Sequence, residues 1–339
     1  MRKFGIGVLG AGLAAAPHFK SLRDLAPEVD LRGVFCRSEA GRKAAQDRYD
    51  VPVVARFADL LEDPAVDALL VLTPPDQRLE VVRAAVAAGK AVLLEKPVER
   101  NTEAAAEIVD LCKRAGIPLG VIFQHRFREG ALAMRDLIDR GALGRLGSVS
   151  LQVPWWRPQS YYDEPGRGTS ARDGGGVLIT QAIHMLDLML SVTGPAAEVQ
   201  AMVATTRHRM ETEDFAAAAI RFENGAIGSV MATTASFPGG AEVLTLNAEK
   251  GTAHFAGGVL RVDWLAGGSE TFGAVTASGG GANIMDFPHE WHRAQIADFV
   301  SAVREGRAPR SNGQTALHVH RLIDAILRSS DTGRREAVI

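Results

Sequence analysis

The chain has 339 residues, of which 46% are hydrophobic and 23% charged, enough for two domains, each with its own core. Lys and Arg number 38 against 40 Asp and Glu, a net charge of −2, which leaves no electrostatic footprint for nucleic acid or anionic lipid. Its two cysteines, Cys36 and Cys112, belong to no CxxC and no Cys–His cluster, so structural zinc and a disulfide scaffold are not expected.

The N-terminal MRKFGIGVLGAG breaks into glycines instead of a small-residue cleavage site, so it does not read as a signal peptide. No stretch offers the roughly 18 uninterrupted apolar residues of a membrane span, and a soluble cytoplasmic protein is expected. Short apolar runs follow at 4–10, 30–36, 66–73, 90–96 and 117–123, and each reads as a buried strand. Helical patterns lie between them, among them 79–89 and 101–116, the latter with Asn101 or Thr102 as N-cap and Gly116 as stop. Apolar strands alternating with helices predict a doubly wound parallel sheet of Rossmann type over residues 1–123.

From about residue 147 the texture changes. Strand-like runs SVSLQVPWWR, AEVQAMVATT, DFAAAAIRF, GAIGSVMATTASF, AEVLTLNA and GVLRVDW follow one another, and Glu223-Asn224-Gly225 marks a hairpin. They predict an α+β domain over 124–339 with a large, mostly antiparallel open sheet. One helical insert interrupts it, GGGVLITQAIHMLDLML at 174–190, with Thr180, His184 and Asp187 about one turn apart. A last helix at 291–306 carries Ile296, Phe299, Val300 and Val303 at helical spacing, and 277–283 reads as a mobile loop.

The first strand ends in Gly10-Ala11-Gly12-Leu13-Ala14-Ala15, a G-x-G-x-x-A. Gly10 permits a tight turn, Gly12 lets backbone approach a pyrophosphate, and Ala15 allows close packing of a helix whose N-terminus faces the phosphates. A strand before the motif and a helix after it make dinucleotide binding the reading. The second strand ends Phe35-Cys36-Arg37-Ser38 with no acid before Glu39. Arg37 and Ser38, with Arg42, suit a 2′-phosphate and favour NADP; the other reading has Arg37 stacked on adenine and NAD bound. Thr73-Pro74-Pro75 and Glu95-Lys96-Pro97 close the third and fourth strands, where doubly wound sheets place their ligands. Lys96 is then either a snorkelling lysine paired with Glu95 or a proton-transfer group.

These motifs, in this order and spacing and together with the helix around His184, resemble the glucose–fructose oxidoreductase and inositol dehydrogenase family (Gfo/Idh/MocA) over nearly the whole chain. The resemblance implies a Rossmann domain and a second domain whose open sheet forms a homodimer or homotetramer interface, with the C-terminal helix packed on the first domain. It implies that Lys96 is the catalytic lysine, that Lys96–Pro97 is a cis peptide, and that Thr73, Pro74, Glu95 and Pro97 line the cofactor site with Gly10, Gly12, Leu13 and Ala14. Many members carry an aspartate four residues before the helix histidine, where this chain has Thr180.

The segment at 154–173 is dense in Trp, Tyr and Arg yet broken by Pro and Gly. Trp155, Arg157, Tyr161, Tyr162 and Arg167 are candidate substrate contacts, the alternative being a surface or subunit loop, and His125 resembles a further family segment near the site. No resident metal is expected; His289 and His292 could approach the site from the C-terminal segment, although lone histidines are usually structural. The expected function is an NAD(P)-dependent dehydrogenase of a secondary hydroxyl on a sugar, polyol or cyclitol. Lys96 and His184 would be its acid–base groups, Thr180 would support them, and Asp187 would orient His184. Two alternatives are a 3-dehydrogenase of a glycoside, anhydrosugar or nucleotide-sugar, and a non-catalytic dinucleotide sensor.

Overall fold

The computed structural model describes residues 2–12, 14–281 and 287–339, and they fall into two compact units. The first comprises residues 1–99, 103–123 and 289–316, and the second 100–102, 124–288 and 317–339.

In the first unit β1 (Phe4–Leu9), β2 (Val29–Phe35), β3 (Ala68–Val71), β4 (Ala91–Leu94) and β5 (Leu119–Val121) form a parallel sheet in the order β2-β1-β3-β4-β5. β1, β3, β4 and β5 are buried at every position, which is why they read as continuous apolar runs without alternation. The helices are α1 (Ala15–Asp24), α2 (Glu39–Tyr49), α3 (Phe57–Glu62), α4 (Arg78–Ala87) and α5 (Thr102–Ala115). The chain leaves β1 for β2 on one side and returns to β3 on the other. The topological switch point therefore lies at the carboxyl ends of β1 and β3, where open α/β sheets hold ligands. The helix expected at 291–306 is α10 (Glu290–Glu305), and its Ile296, Phe299 and Val300 enter the core beside Ile6, Val8, Phe19 and Leu93.

In the second unit nine strands run in the order β13-β12-β11-β10-β6-β9-β8-β7-β14. They are β6 (Leu146–Pro154), β7 (Ala196–Ala204), β8 (Phe215–Phe222), β9 (Ile227–Thr233), β10 (Val243–Ala248), β11 (Gly251–Ala256), β12 (Val259–Trp264), β13 (Ser269–Phe272) and β14 (Glu336–Ala337). All described pairings are antiparallel except β6 with β9, which run parallel from Ser148↔Ile227 to Pro154↔Thr233. Asn224-Gly225 turns β8 into β9, with Gly225 at φ 86°. Helices of this unit are α6 (Glu129–Asp139), α7 (Gln159–Tyr162), α8 (Ser170–Asp173) and α9 (Ile183–Thr193), preceded by a π-helical turn at Leu178–Ala182. The helical run 170–193 is apolar enough to span a membrane by composition, but 89% of its most apolar window is buried, as in a core helix. Its sheet edge is covered: Ser329 and Ser330 on the last helix, α11 (Gly313–Thr332), accept from the Ala201 and Val203 N–H of β7 at 3.0 and 2.9 Å.

Candidate active site

The adjacent carboxyl ends of β1, β3 and β4 form the candidate site of the first unit. Gly10 sits at φ 92°, and a Cβ there would lie 3.2 Å from the Leu72 carbonyl, so only glycine suits the turn. Gly12 is exposed and a Cβ on it would meet nothing within 4 Å. Glycine at this position is therefore not demanded by the protein's own packing, as expected of a surface kept clear for a ligand. Ala14 caps α1 and Ala15 is fully buried beneath it; Leu13 lies outside the described residues. Thr73 turns its Oγ1 into a buried position with no hydrogen-bond partner among the described residues. An orphaned buried hydroxyl and an open glycine at a helix N-terminus fit a dinucleotide's phosphates and ribose.

At the end of β2, Arg37 is exposed, and Ser38 is the N-cap of α2, its Oγ accepting from the Gly41 N–H at 3.0 Å. Arg42 folds back to donate to the Cys36 and Arg37 carbonyls at 3.0 and 3.3 Å. This pins the turn that presents Arg37.

Two residues that sequence reasoning missed organise the E-K-P turn. His18, on the buried face of α1, contacts Glu95 Oε1 through Nε2 at 2.8 Å, while Glu95 Oε2 accepts the Lys96 N–H at 3.0 Å. Arg78, at the start of α4, donates to the carbonyls of Thr73, Glu95 and Pro97 and so ties the ends of β3 and β4 together. The Lys96–Pro97 bond is cis. Burial alone would raise the Glu95 pKa. The His18 hydrogen bond and the charges of His18, Lys96 and His292 outweigh it and bring Glu95 down to about 2. Burial chiefly, and then the charge of His18, pushes His292 down to about 3; its ring meets that of His18 edge-on at 4.8 Å. His18, Glu95 and His292 present ligand atoms within 4.8 Å of one another, a donor set a divalent cation could use. Here the carboxylate is taken up by His18 and by the Lys96 backbone. Pro74 is exposed and opens the turn Pro75–Gln77.

The second unit carries its own candidate residues on and around α9. Glu213 accepts from the Gly176 and Leu178 N–H groups at 3.0 and 3.1 Å, so a buried carboxylate caps the helical run from another segment. A Cβ at Gly176 would lie 1.9 Å from the Glu213 carbonyl oxygen, which is why glycine stands there. Thr180 Oγ1 donates to the Gly176 carbonyl at 2.6 Å and also contacts the Gln181 side chain. His184 is 7% exposed, and its ring stacks on that of His125 at 4.9 Å and 29°. Asp187, fully buried, accepts from Arg126 Nε and Nη2, both at 2.6 Å. It thus ties α9 to the Gln124–Phe127 turn, and this pairing replaces its expected role of orienting His184. Burial raises the Asp187 pKa against the opposing pull of Arg126.

The aromatic segment divides by burial. Trp155 is buried, with Nε1 3.4 Å from Glu242, and Tyr162 is buried with its hydroxyl 2.7 Å from Thr234 Oγ1. Arg157, also buried, donates to the carbonyls of Trp156, Gly279 and Gly281 at 2.7 to 2.8 Å, so the described part of the 277–283 loop is tied down. Residues 282 and 283 lie outside the described residues. Tyr161 and Arg167 are half-buried: Arg167 stands over the Tyr161 ring at 4.5 Å and donates to its hydroxyl at 3.1 Å, while Gln181 donates to the same hydroxyl at 3.3 Å. Tyr161 and Arg167 therefore lie beside the Thr180 end of the helical run, whereas Trp155, Arg157 and Tyr162 pack the segment in place.

Residues 4–123 match the oxidoreductase-family model with an NAD-binding Rossmann fold, and residues 131–254 match the GFO/IDH/MocA C-terminal domain. The chain is 25% identical over 213 residues to scyllo-inositol 2-dehydrogenase (NADP(+)) of Bacillus subtilis, a match covering 62% of this chain and 57% of that relative's length. D-xylose 1-dehydrogenase (NADP(+)) 2 of Haloferax volcanii is 26% identical, with 96% of this chain and 97% of that one covered. The WlbA dehydrogenase of Bordetella pertussis, solved with NADH and UDP-GlcNAcA, superposes with a TM-score of 0.83 at 28% identity, covering 99% of both chains.

Proposed function

Because the chain belongs to the Gfo/Idh/MocA oxidoreductase family, we propose that it is an NAD(P)-dependent dehydrogenase exchanging a secondary hydroxyl of a sugar, polyol or cyclitol for a ketone. One observation carries the reading: the carboxyl ends of β1, β3 and β4 lie side by side, presenting open Gly12, the orphaned Thr73 hydroxyl and Lys96. Gly10, Gly12, Ala14 and Thr73 would hold the dinucleotide, with Pro74 and Pro97 shaping the crevice and Glu95 acting behind it through His18 and the Lys96 backbone. When bound, the dinucleotide supplies the hydride acceptor, and donor in the reverse direction. Lys96 Nζ takes the proton of the reacting hydroxyl, and His184 hydrogen-bonds that hydroxyl or its neighbour and shares the acid–base role. Tyr161 and Arg167 contact the remaining hydroxyls of the substrate.

Arg37 and Ser38, with no acid before Glu39, favour NADP, in keeping with the NADP(+) in the names of the inositol and xylose dehydrogenases. The likeness to a dehydrogenase solved with UDP-GlcNAcA favours a second reading, a nucleotide-sugar 3-dehydrogenase. The small side chains on the outer face of β6 to β9, with Met202 exposed among them, suit a second copy of the chain, and the free thiols Cys36 and Cys112 suit the cytoplasm.

Assay of the purified protein with NAD and NADP over a panel of cyclitols, aldoses, anhydrosugars and nucleotide-sugars tests the reading. Turnover on one class is expected, with Lys96→Ala reducing kcat by about 10²–10⁴-fold while cofactor binding persists. Dinucleotide binding without turnover on any class would leave a sensor, and near-wild-type turnover in Lys96→Ala would remove the lysine from the mechanism. A strong NAD preference overturns the cofactor assignment.

A further inference from the structure

His125 was expected to touch substrate, but its surroundings give it different work. Its ring is 2% exposed, its Nε2 lies 2.7 Å from Arg128 Nη2, and its Nδ1 lies 3.4 Å from Met185 Sδ. Arginine has donors and no acceptor. The Arg128 contact therefore requires a lone pair on His125 Nε2, which puts the single ring proton on Nδ1, facing the weakly accepting sulfur. Arg128 is itself 1% exposed and ion-paired with Glu242. The other oxygen of Glu242 takes Ser278 Oγ at 2.7 Å and Trp155 Nε1 at 3.4 Å. Protonating His125 would break a charge-assisted hydrogen bond and set two cations in contact in the interior.

His184 stacks on this ring. Two facing imidazoles ordinarily titrate as a coupled pair with macroscopic pKa values, and the Arg128–Glu242 pair removes one partner from that equilibrium. The other charged groups on the elements packed around the rings include Arg126, Asp187, Glu213 and, on α6, Glu129, Arg135, Asp136 and Asp139. Arg126 is forked by Asp187, Glu213 takes the N–H groups at the start of the helical run, and Arg135 on α6 pairs with Asp139, while Glu129 begins that helix. We propose that His125 is a positioning residue, an imidazole held neutral by Arg128, on whose face His184 keeps one ring orientation while its own proton comes and goes. The proposal rests on the acid–base role given above to His184, and it reduces the ionisations this unit contributes to the reaction from two to one.

Long-range 1H–15N correlation of the protein labelled with 15N-histidine, recorded from pH 5.5 to 9, reads the tautomer directly, with the His125 signals identified by their loss in His125→Ala. The expected result is a His125 ring with a protonated Nδ1 and an unprotonated Nε2 that does not shift across the range, beside a His184 ring that titrates in one step. A His125 ring that titrates, or one protonated at Nε2, overturns the proposal. In Arg128→Met the His184 curve should split into two steps; if that variant does not fold, the wild-type spectra still decide. With a substrate from the panel, His125→Ala should lower kcat by about 10–100-fold, the scale of a misplaced catalytic group, and leave KM within about threefold. A rise in KM alone would return His125 to the substrate contacts. If no substrate turns over, the dehydrogenase reading fails while the spectra still judge the tautomer.

Discussion

Glu95→Gln probes how the buried end of β4 is held. The carboxylate is 7% exposed and serves two donors, His18 Nε2 at 2.8 Å and the Lys96 N–H at 3.0 Å. These contacts, with the charges of His18, Lys96 and His292, bring its pKa from 4.5 to about 2 against the opposing effect of burial. One pKa unit corresponds to about 1.4 kcal/mol, so ionised Glu95 contributes about 3 kcal/mol of stability. Because the folded pKa is depressed, that contribution is fully present above pH 4.5 and is lost as the pH falls toward 2. Glutamine keeps the shape but carries no charge and offers one acceptor oxygen where two are used. The variant should therefore be less stable by about 3 kcal/mol at pH 7, and the gap should close to within about 1 kcal/mol near pH 2.5. His292, held down to about 3 chiefly by burial while the Glu95 charge pulls it up, adds an acid loss that begins near pH 6.5 in both proteins. Urea unfolding of both proteins at pH 7, 5, 3.5 and 2.5 measures the gap. A difference that stays constant with pH, or one below about 1 kcal/mol at pH 7, would show that the Glu95 charge is not what holds this turn.

Three further outcomes follow from the same geometry. Gly12→Ala should keep wild-type thermal stability, since its Cβ meets nothing, yet lose dinucleotide affinity in a binding titration; Gly10→Ala, at φ 92°, should lower Tm by several degrees, about 1 kcal/mol or more. Equal effects on Tm would contradict the division of labour between the two glycines. Arg126→Met leaves the Asp187 carboxylate buried without its fork and should destabilise the protein by about 3–5 kcal/mol, a loss that should shrink at low pH, where the carboxyl takes up a proton. Thr180→Val removes a hydroxyl that donates to the Gly176 carbonyl; we expect about 0.5–1.5 kcal/mol of lost stability and a kcat within about threefold of wild type, well below the effect of a general acid–base group. A hundredfold fall in kcat would instead place that hydroxyl on the substrate.

The first unit was legible because its information is local. Continuous apolar runs, G-x-G-x-x-A and two strand-end motifs follow from the backbone of a parallel sheet, and each lies within a few residues of the strand it marks. The last helix, α11, carries Ala316, Leu317, Val319, Leu322, Ile323 and Ile326 on its buried side. That spacing was readable, but the reading stopped at the helix before it. β14, two residues long, gives no pattern at all, since its pairing to β7 is fixed only once the sheet exists.

The site was half legible for the same physical reason. Lys96, Thr180 and His184 stand in local motifs, but the groups that decide what they do come from far along the chain. His18 meets Glu95 from 77 residues away, Asp187 meets Arg126 across 61, and Glu242 meets Arg128 across 114. Buried charges must be paired, so each buried acid or base in the sequence implied some partner without saying which. Asp187 shows the consequence: its place one turn from His184 suggested a local hydrogen bond, while the stronger fork of an arginine supplied by the segment after β5 takes both of its oxygens. The same segment supplies His125 and Arg128. The chain thus places on one short turn the pairing that fixes the helix, the ring that faces His184 and the arginine that sets that ring's proton.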